Sequence, residues 1–136
     1  MASPQEDAGF AAGIRLFNRG KFFEAHEIWE EEWKQAKGDE RIFYQGIIQA
    51  AVALLHVDRG NYAGAISVYL KSRTKLDQFP SVWMGIDLDR FRSELTRYFA
   101  AVQTILNVRG RNWHPPGTIQ IAGAARAPAI RWASDC

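Results

Sequence analysis

The sequence predicts a single compact all-α domain of about five helices, and three observations carry that expectation. Large apolar residues recur at three- and four-residue intervals along five separate stretches. Residues that start or stop helices punctuate those stretches at Ser3, Gly20, Gly38, Asn61 and Pro80. The chain has 136 residues, 47% of them hydrophobic and 12% aromatic, which is enough for one well-filled core and too little for two.

Helix one starts at Ser3-Pro4-Gln5-Glu6, with Ser as the cap, Pro where no N–H is needed and Glu three residues after the cap. Phe10, Ile14 and Phe17 form its apolar stripe, and Gly20 can take the left-handed conformation that ends it. Gly9 and Gly13 weaken it, so it depends on packing. Helix two runs from Lys21 to Lys37 and closes at Gly38; Phe22, Ala25, His26, Trp29, Trp33 and Ala36 share one face. Helix three, capped by Asp39 and ending near Asp58, is apolar nearly all round, the pattern of a central helix. Gln45, Gln49 and His56 interrupt it on one narrow stripe, and Gly46 allows a neighbour to approach. Helix four starts at Asn61, a good cap, and stops before Pro80. Residues 79–86, FPSVWMGI, form an apolar connection that must cover part of the core. Helix five begins near Asp87 and carries Leu88, Phe91, Leu95, Phe99, Val102 and Leu106. The helices pair as two antiparallel hairpins with helix five added after them, so the helical domain spans residues 3–106. Residues 107–136, rich in Gly, Pro, Ala and Arg, read as an irregular tail docked at most through Trp113 or Trp132.

Charge and composition exclude several classes. No apolar run approaches the roughly 18 residues needed to span a bilayer. The N-terminal residues show neither a secretory signal nor a transit peptide, so a cytoplasmic location is expected. The single cysteine, Cys136, excludes an intrachain disulfide and a cysteine-based zinc cluster. Arg109, Arg111, Arg126 and Arg131 stand against Asp135 alone in the tail, while the body is nearly neutral. Arginines spread so thinly make a weak electrostatic footprint, so nucleic acid is not the expected partner. The expected partner is a small molecule or a protein, self-association into a homo-oligomer stays open, and no cofactor is implied.

Arg19-Gly20-x-Phe22-x-x-Ala25 returns as Arg59-Gly60-x-Tyr62-x-x-Ala65. In each copy Gly ends a helix, an aromatic residue anchors the next, and Ala permits close helix contact. The construction resembles tetratricopeptide grammar, although such arrays have a period nearer 34 and normally need about three units. A second likeness lies in helices two and three. His26-x-x-x-Glu30-x-x-Trp33, Gly46-x-x-Gln49 and the Arg59-Gly60-Asn61 turn, with Gly85-Ile86-Asp87 further on, resemble the bacterial and archaeal family called domain of unknown function 309. The likeness covers about residues 10–106. It implies a compact multihelical fold and supplies no activity.

The candidate site is the polar set His26, Glu27, Glu30, Trp33, Gln45, Gln49 and His56. His26 and Glu30 are one helical turn apart and can share a hydrogen bond or a metal ion. His26-Glu27-x-x-Glu30 lacks the second histidine of a zinc-protease helix, so a third ligand would have to come from His56 or a facing glutamate. Three readings follow. His26, Glu30, Gln45, Gln49 and His56 form a buried polar network that sets the packing of helix two on helix three, or they line a small-ligand cleft there. Otherwise His26, Glu27 and Glu30 serve a metal-assisted or acid–base hydrolase. No nucleophile elbow or Gly-rich phosphate loop is present, and no catalytic residue can be assigned. A non-catalytic ligand or protein-interaction module therefore comes before an enzyme.

Overall fold

A computed structural model describes residues 8–113 and 127–133. Among these residues the helices are α1 (Ala8–Asn18), α2 (Phe22–Gln35), α3 (Gly38–Asp58), α4 (Tyr62–Leu76) and α5 (Leu88–Arg109). Two short antiparallel strands, β1 (Val82–Trp83) and β2 (Ile86–Asp87), lie between α4 and α5. The all-α expectation holds. No helix is long and apolar enough to cross a membrane among the described residues. The Ser3 cap falls outside them.

The chain folds back at two matching turns. Gly20 and Gly60 both adopt φ +78°, and Lys21 N–H and Asn61 N–H each reach back to a carbonyl of the preceding helix, Leu16 and His56. Asn61 then caps α4 by accepting a hydrogen bond from Gly64 N–H at 3.0 Å, and Asp87 caps α5 by accepting one from Arg90 N–H. The expected cap at Asp39 is corrected. Gly38 turns the chain one residue earlier with φ +60°, so α3 begins there, and Asp39 and Glu40 instead place their charges in its first turn.

α3 packs on α2 and on α4 and contributes the largest share of the core, from Phe43 and Tyr44 through Leu54 to Val57. Contact with α4 is close at Gly46, whose carbonyl accepts a 2.7 Å hydrogen bond from the buried hydroxyl of Ser72. Phe10, Phe17 and Trp29 join the inner faces of α1 and α2, and Phe91 of α5 meets Phe17 edge-on at 5.5 Å. Tyr69 stacks on Phe99 at 4.4 Å to align α4 with α5.

Residues 79–86 cover the core as a β-hairpin, where only an apolar connection was expected. Met84 and Gly85 both have positive φ, 50° and 79°, which suits the mirror-type two-residue turn that joins antiparallel strands. Phe79 and Trp83 close over Phe43. α5 also runs on to Arg109, past Leu106, before Gly110 ends it with φ 91°. Trp113 then sets its ring edge against Tyr62. Residues 127–133 return against α1, β2 and α5, with Ile130 only 1% exposed.

Candidate functional site

α2 presents His26 at the edge of its buried face. The His26 Nε2 atom lies 2.8 Å from Glu30 Oε1, and Nδ1 lies 3.3 Å from the Phe23 carbonyl. Both partners are acceptors, so a ring nitrogen must carry a proton for either hydrogen bond to form. The pair is half in solvent: the side chains of His26 and Glu30 are 20% and 46% exposed. Glu27 is exposed on the outer side of the helix.

Trp33 turns inward from the same edge and is held by α3. The Arg41 guanidinium sits 3.8 Å above its ring and donates to the Trp33 and Ala36 carbonyls, closing the C-terminal end of α2. Among the described residues the buried Trp33 indole N–H meets no hydrogen-bond acceptor. This is a close union of α2 and α3, but it is made by Trp33 and Arg41 and not by glutamines.

The glutamine stripe faces the other way. Gln49 accepts a 2.9 Å hydrogen bond from Lys75 Nζ of α4, and half-buried Gln45 lies one turn earlier on the same stripe. His56 ends α3 with its Nδ1 atom 3.4 Å from the Asn61 amide nitrogen at the α3–α4 turn. The set expected between α2 and α3 thus divides into a His26–Glu30 pair on α2, a Gln49–Lys75 pair between α3 and α4, and a His56–Asn61 contact at the turn. Among the described residues no three His, Cys, Asp or Glu side chains stand together as a metal site would require.

Phe23, beside the pair, is not among the expected site residues, although helical spacing already leaves it off the face shared by Phe22, Ala25, Trp29 and Trp33. The structure leaves it 43% exposed, with its ring 5.6 Å from the His26 imidazole. Phe23, Glu27, Glu30 and Lys34 share one side of α2 at three- and four-residue spacing, and Glu31 pairs with Lys34 at 3.0 Å.

Residues 10–68 match the family described as "Domain of unknown function (DUF309)". The resemblance carried by His26, Glu30, Trp33, Gly46, Gln49 and the Arg59-Gly60-Asn61 turn is borne out over that stretch. The chain is 35% identical over 80 residues to an uncharacterised protein of Aquifex aeolicus, a match covering 58% of this chain and 24% of the relative. It is 51% identical over 45 residues to the uncharacterised protein YpuF of Bacillus subtilis, covering 32% of this chain and 26% of the relative. The chain thus spans about a quarter of the length of each of these relatives.

Proposed function

We propose that the domain is a non-catalytic protein-interaction module that offers the outer side of α2 to a basic, partly apolar segment of a partner protein. The reading rests on Phe23, a large ring left 43% exposed on a helix whose inner face is filled by Phe22, Ala25 and Trp29. The His26–Glu30 pair holds an imidazole beside that ring. Aromatic anchors bordered by polar groups concentrate binding energy at protein interfaces. The border here is acidic, since Glu27, Glu30 and Glu31 outnumber Lys34 on this side of the helix. Charge complementarity then favours lysine and arginine in the partner. That the matched stretch is a minor part of each relative fits a domain that works as one module of a larger assembly.

The test is an array of synthetic peptides graded in charge and apolar content, with binding read by fluorescence anisotropy. Basic apolar peptides should bind the wild-type chain and bind Phe23→Ser about tenfold more weakly. The thermal midpoint should fall by only a few degrees and the helical spectrum should be kept, because the side chain lies outside the core although part of its surface is covered. Binding indifferent to peptide charge, or to loss of Phe23, would overturn the proposal. An enzyme using His26, Glu27 and Glu30 predicts a different result: metal in stoichiometric amount in protein purified without chelator, lost in His26→Ala.

A further inference from the structure

Residues 127–133 are held as a bound peptide is held. Asn18, the last residue of α1, reads the backbone of Ile130 on both sides: its Oδ1 accepts from Ile130 N–H and its Nδ2 donates to the Ile130 carbonyl, both at 2.8 Å. Trp132 makes a single antiparallel bridge with Ile86 at the edge of β2, where Asp87 N–H donates to the Arg131 carbonyl and Ala133 N–H to the Gly85 carbonyl, the start of a strand-addition contact. Specificity comes from alternate side chains. Ile130 is buried, Trp132 sets its ring edge-on to Phe10 at 5.8 Å, and Arg131 reaches Glu94 Oε2 of α5 at 2.8 Å. The other oxygen of Glu94 accepts from Ala129 N–H at 3.0 Å. The cradle is therefore made of three separated parts of the fold, the end of α1, the edge of β2 and the middle of α5, and it recognises an extended Ala-Ile-Arg-Trp.

We infer that this cradle is an extended-peptide recognition site which its own chain fills, and that the same segment of a second copy can fill it by reciprocal exchange. Every contact just described would be made unchanged by residues 127–133 of another copy, because none depends on which α5 the segment follows. Exchange of an identical element is a low-cost route to a closed two-fold dimer. Residues 114–126 join the segment to the rest of the chain, and a connection of that length can reach about 40 Å when extended, enough to cross to a neighbour. A tethered segment has an effective concentration in the millimolar range, so the wild-type chain closes on itself at ordinary concentration. Exchange is exposed by making self-closure unfavourable.

Two full-length variants do so. Arg131→Glu sets an acid against Glu94 of its own cradle, and Glu94→Arg sets a base against its own Arg131. Mixed in equal amounts, the two chains pair opposite charges at 94 and 131 in both cradles only by exchanging segments, since the substituted acid of one meets the substituted base of the other while native Arg131 meets native Glu94. Light scattering should give the monomer mass for each variant alone and twice that mass for the mixture. A mixture that keeps the monomer mass, with both chains helical by circular dichroism, overturns the exchange. Dimerisation of either variant alone overturns Glu94 and Arg131 as the recognition pair. Should either charge reversal unfold the chain, Arg131→Asp with Glu94→Lys sets the same two repulsions with shorter side chains and gives the same comparison. Failure of that folded mixture to reach twice the monomer mass overturns the inference.

Discussion

Replacing Gly13 by Ala should destabilise the protein, although the same change in an exposed helix would stabilise it by about 1 kcal/mol. A Cβ built at Gly13 lies 2.5 Å from Cδ1 and from Cε2 of Trp29 and closer still to its Nε1. Trp29 is fully buried, and its indole N–H donates to the Phe10 carbonyl at 3.3 Å, so the ring cannot withdraw without breaking packing and that bond. Overpacking of this kind costs about 1–3 kcal/mol, and loss of the hydrogen bond about 1 more. Set against the helix gain, the net loss is about 1–3 kcal/mol. For a domain of this size that lowers the thermal midpoint by roughly 3–12 °C. Guanidinium unfolding followed by tryptophan fluorescence measures it, as a lower midpoint with unchanged slope. Gly9→Ala is the control. Its Cβ would meet Glu32, a side chain longer and more flexible than the buried Trp29 ring, so the loss should be smaller than at Gly13. A Gly13→Ala protein more stable than wild type would refute the packing of α1 on α2 described above.

Three further outcomes follow from the pairings. Glu30→Gln and Gln49→Ala should be additive in stability within about 0.5 kcal/mol, because the two residues serve different interfaces, whereas Gln49→Ala and Lys75→Ala should couple; the reverse pattern in double-mutant cycles would place the glutamines back against α2. Burial, then the nearby Asp58 and Tyr62, push the Tyr98 phenol up to about 12. A raised folded value means stability is full below the unfolded phenol value of about 10 and is lost as pH rises through about 12, so alkaline unfolding should be shallower for Tyr98→Phe. Burial alone would raise the Glu94 carboxyl, but hydrogen bonds from Ala129 N–H and Arg131, with the charges of Arg131 and Arg90, hold it below the ordinary range. Its contribution is present above about pH 4.5 and lost as pH falls through the lowered value, so the protection of Ile130 N–H from hydrogen exchange, taken relative to its intrinsic rate, should fall with it in wild type. Glu94→Gln should remove that step.

The helices were legible because each announces itself locally. A stripe of Phe10, Ile14 and Phe17, or of Leu88, Phe91 and Leu95, needs only the helical period, and Asn61 caps through a bond three residues away. The hairpin was hidden because one of its two left-handed turn residues is Met84, which carries no turn signal, leaving Gly85 to speak alone. Trp132 marked the tail as able to dock, and its ring does meet Phe10, but the grip of the fold on Ile130 was hidden more deeply. Asn18 binds the backbone of Ile130, not its side chain, across a separation of 112 residues, and backbone recognition leaves no residue pattern.

The candidate site divides along the same line. Four-residue spacing places His26 against Glu30 in any helix, so their 2.8 Å contact could be foreseen without knowing the fold. For the same reason the contact says little about function, since it would form equally in a purely structural helix. Spacing also put Gln45, Gln49 and His56 on one stripe, but a stripe does not reveal which neighbour it faces. That depends on how α3 is rotated, and the close approach at Gly46 turns the stripe toward α4, where Lys75 meets it. With Gln49 committed to Lys75, the companions of the His26–Glu30 pair among the described residues are the exposed ring of Phe23 and the carboxylates of the outer side of α2. A group open to solvent on that side is suited to contact another molecule's surface, and that location, more than the pair itself, gives the interaction reading its weight.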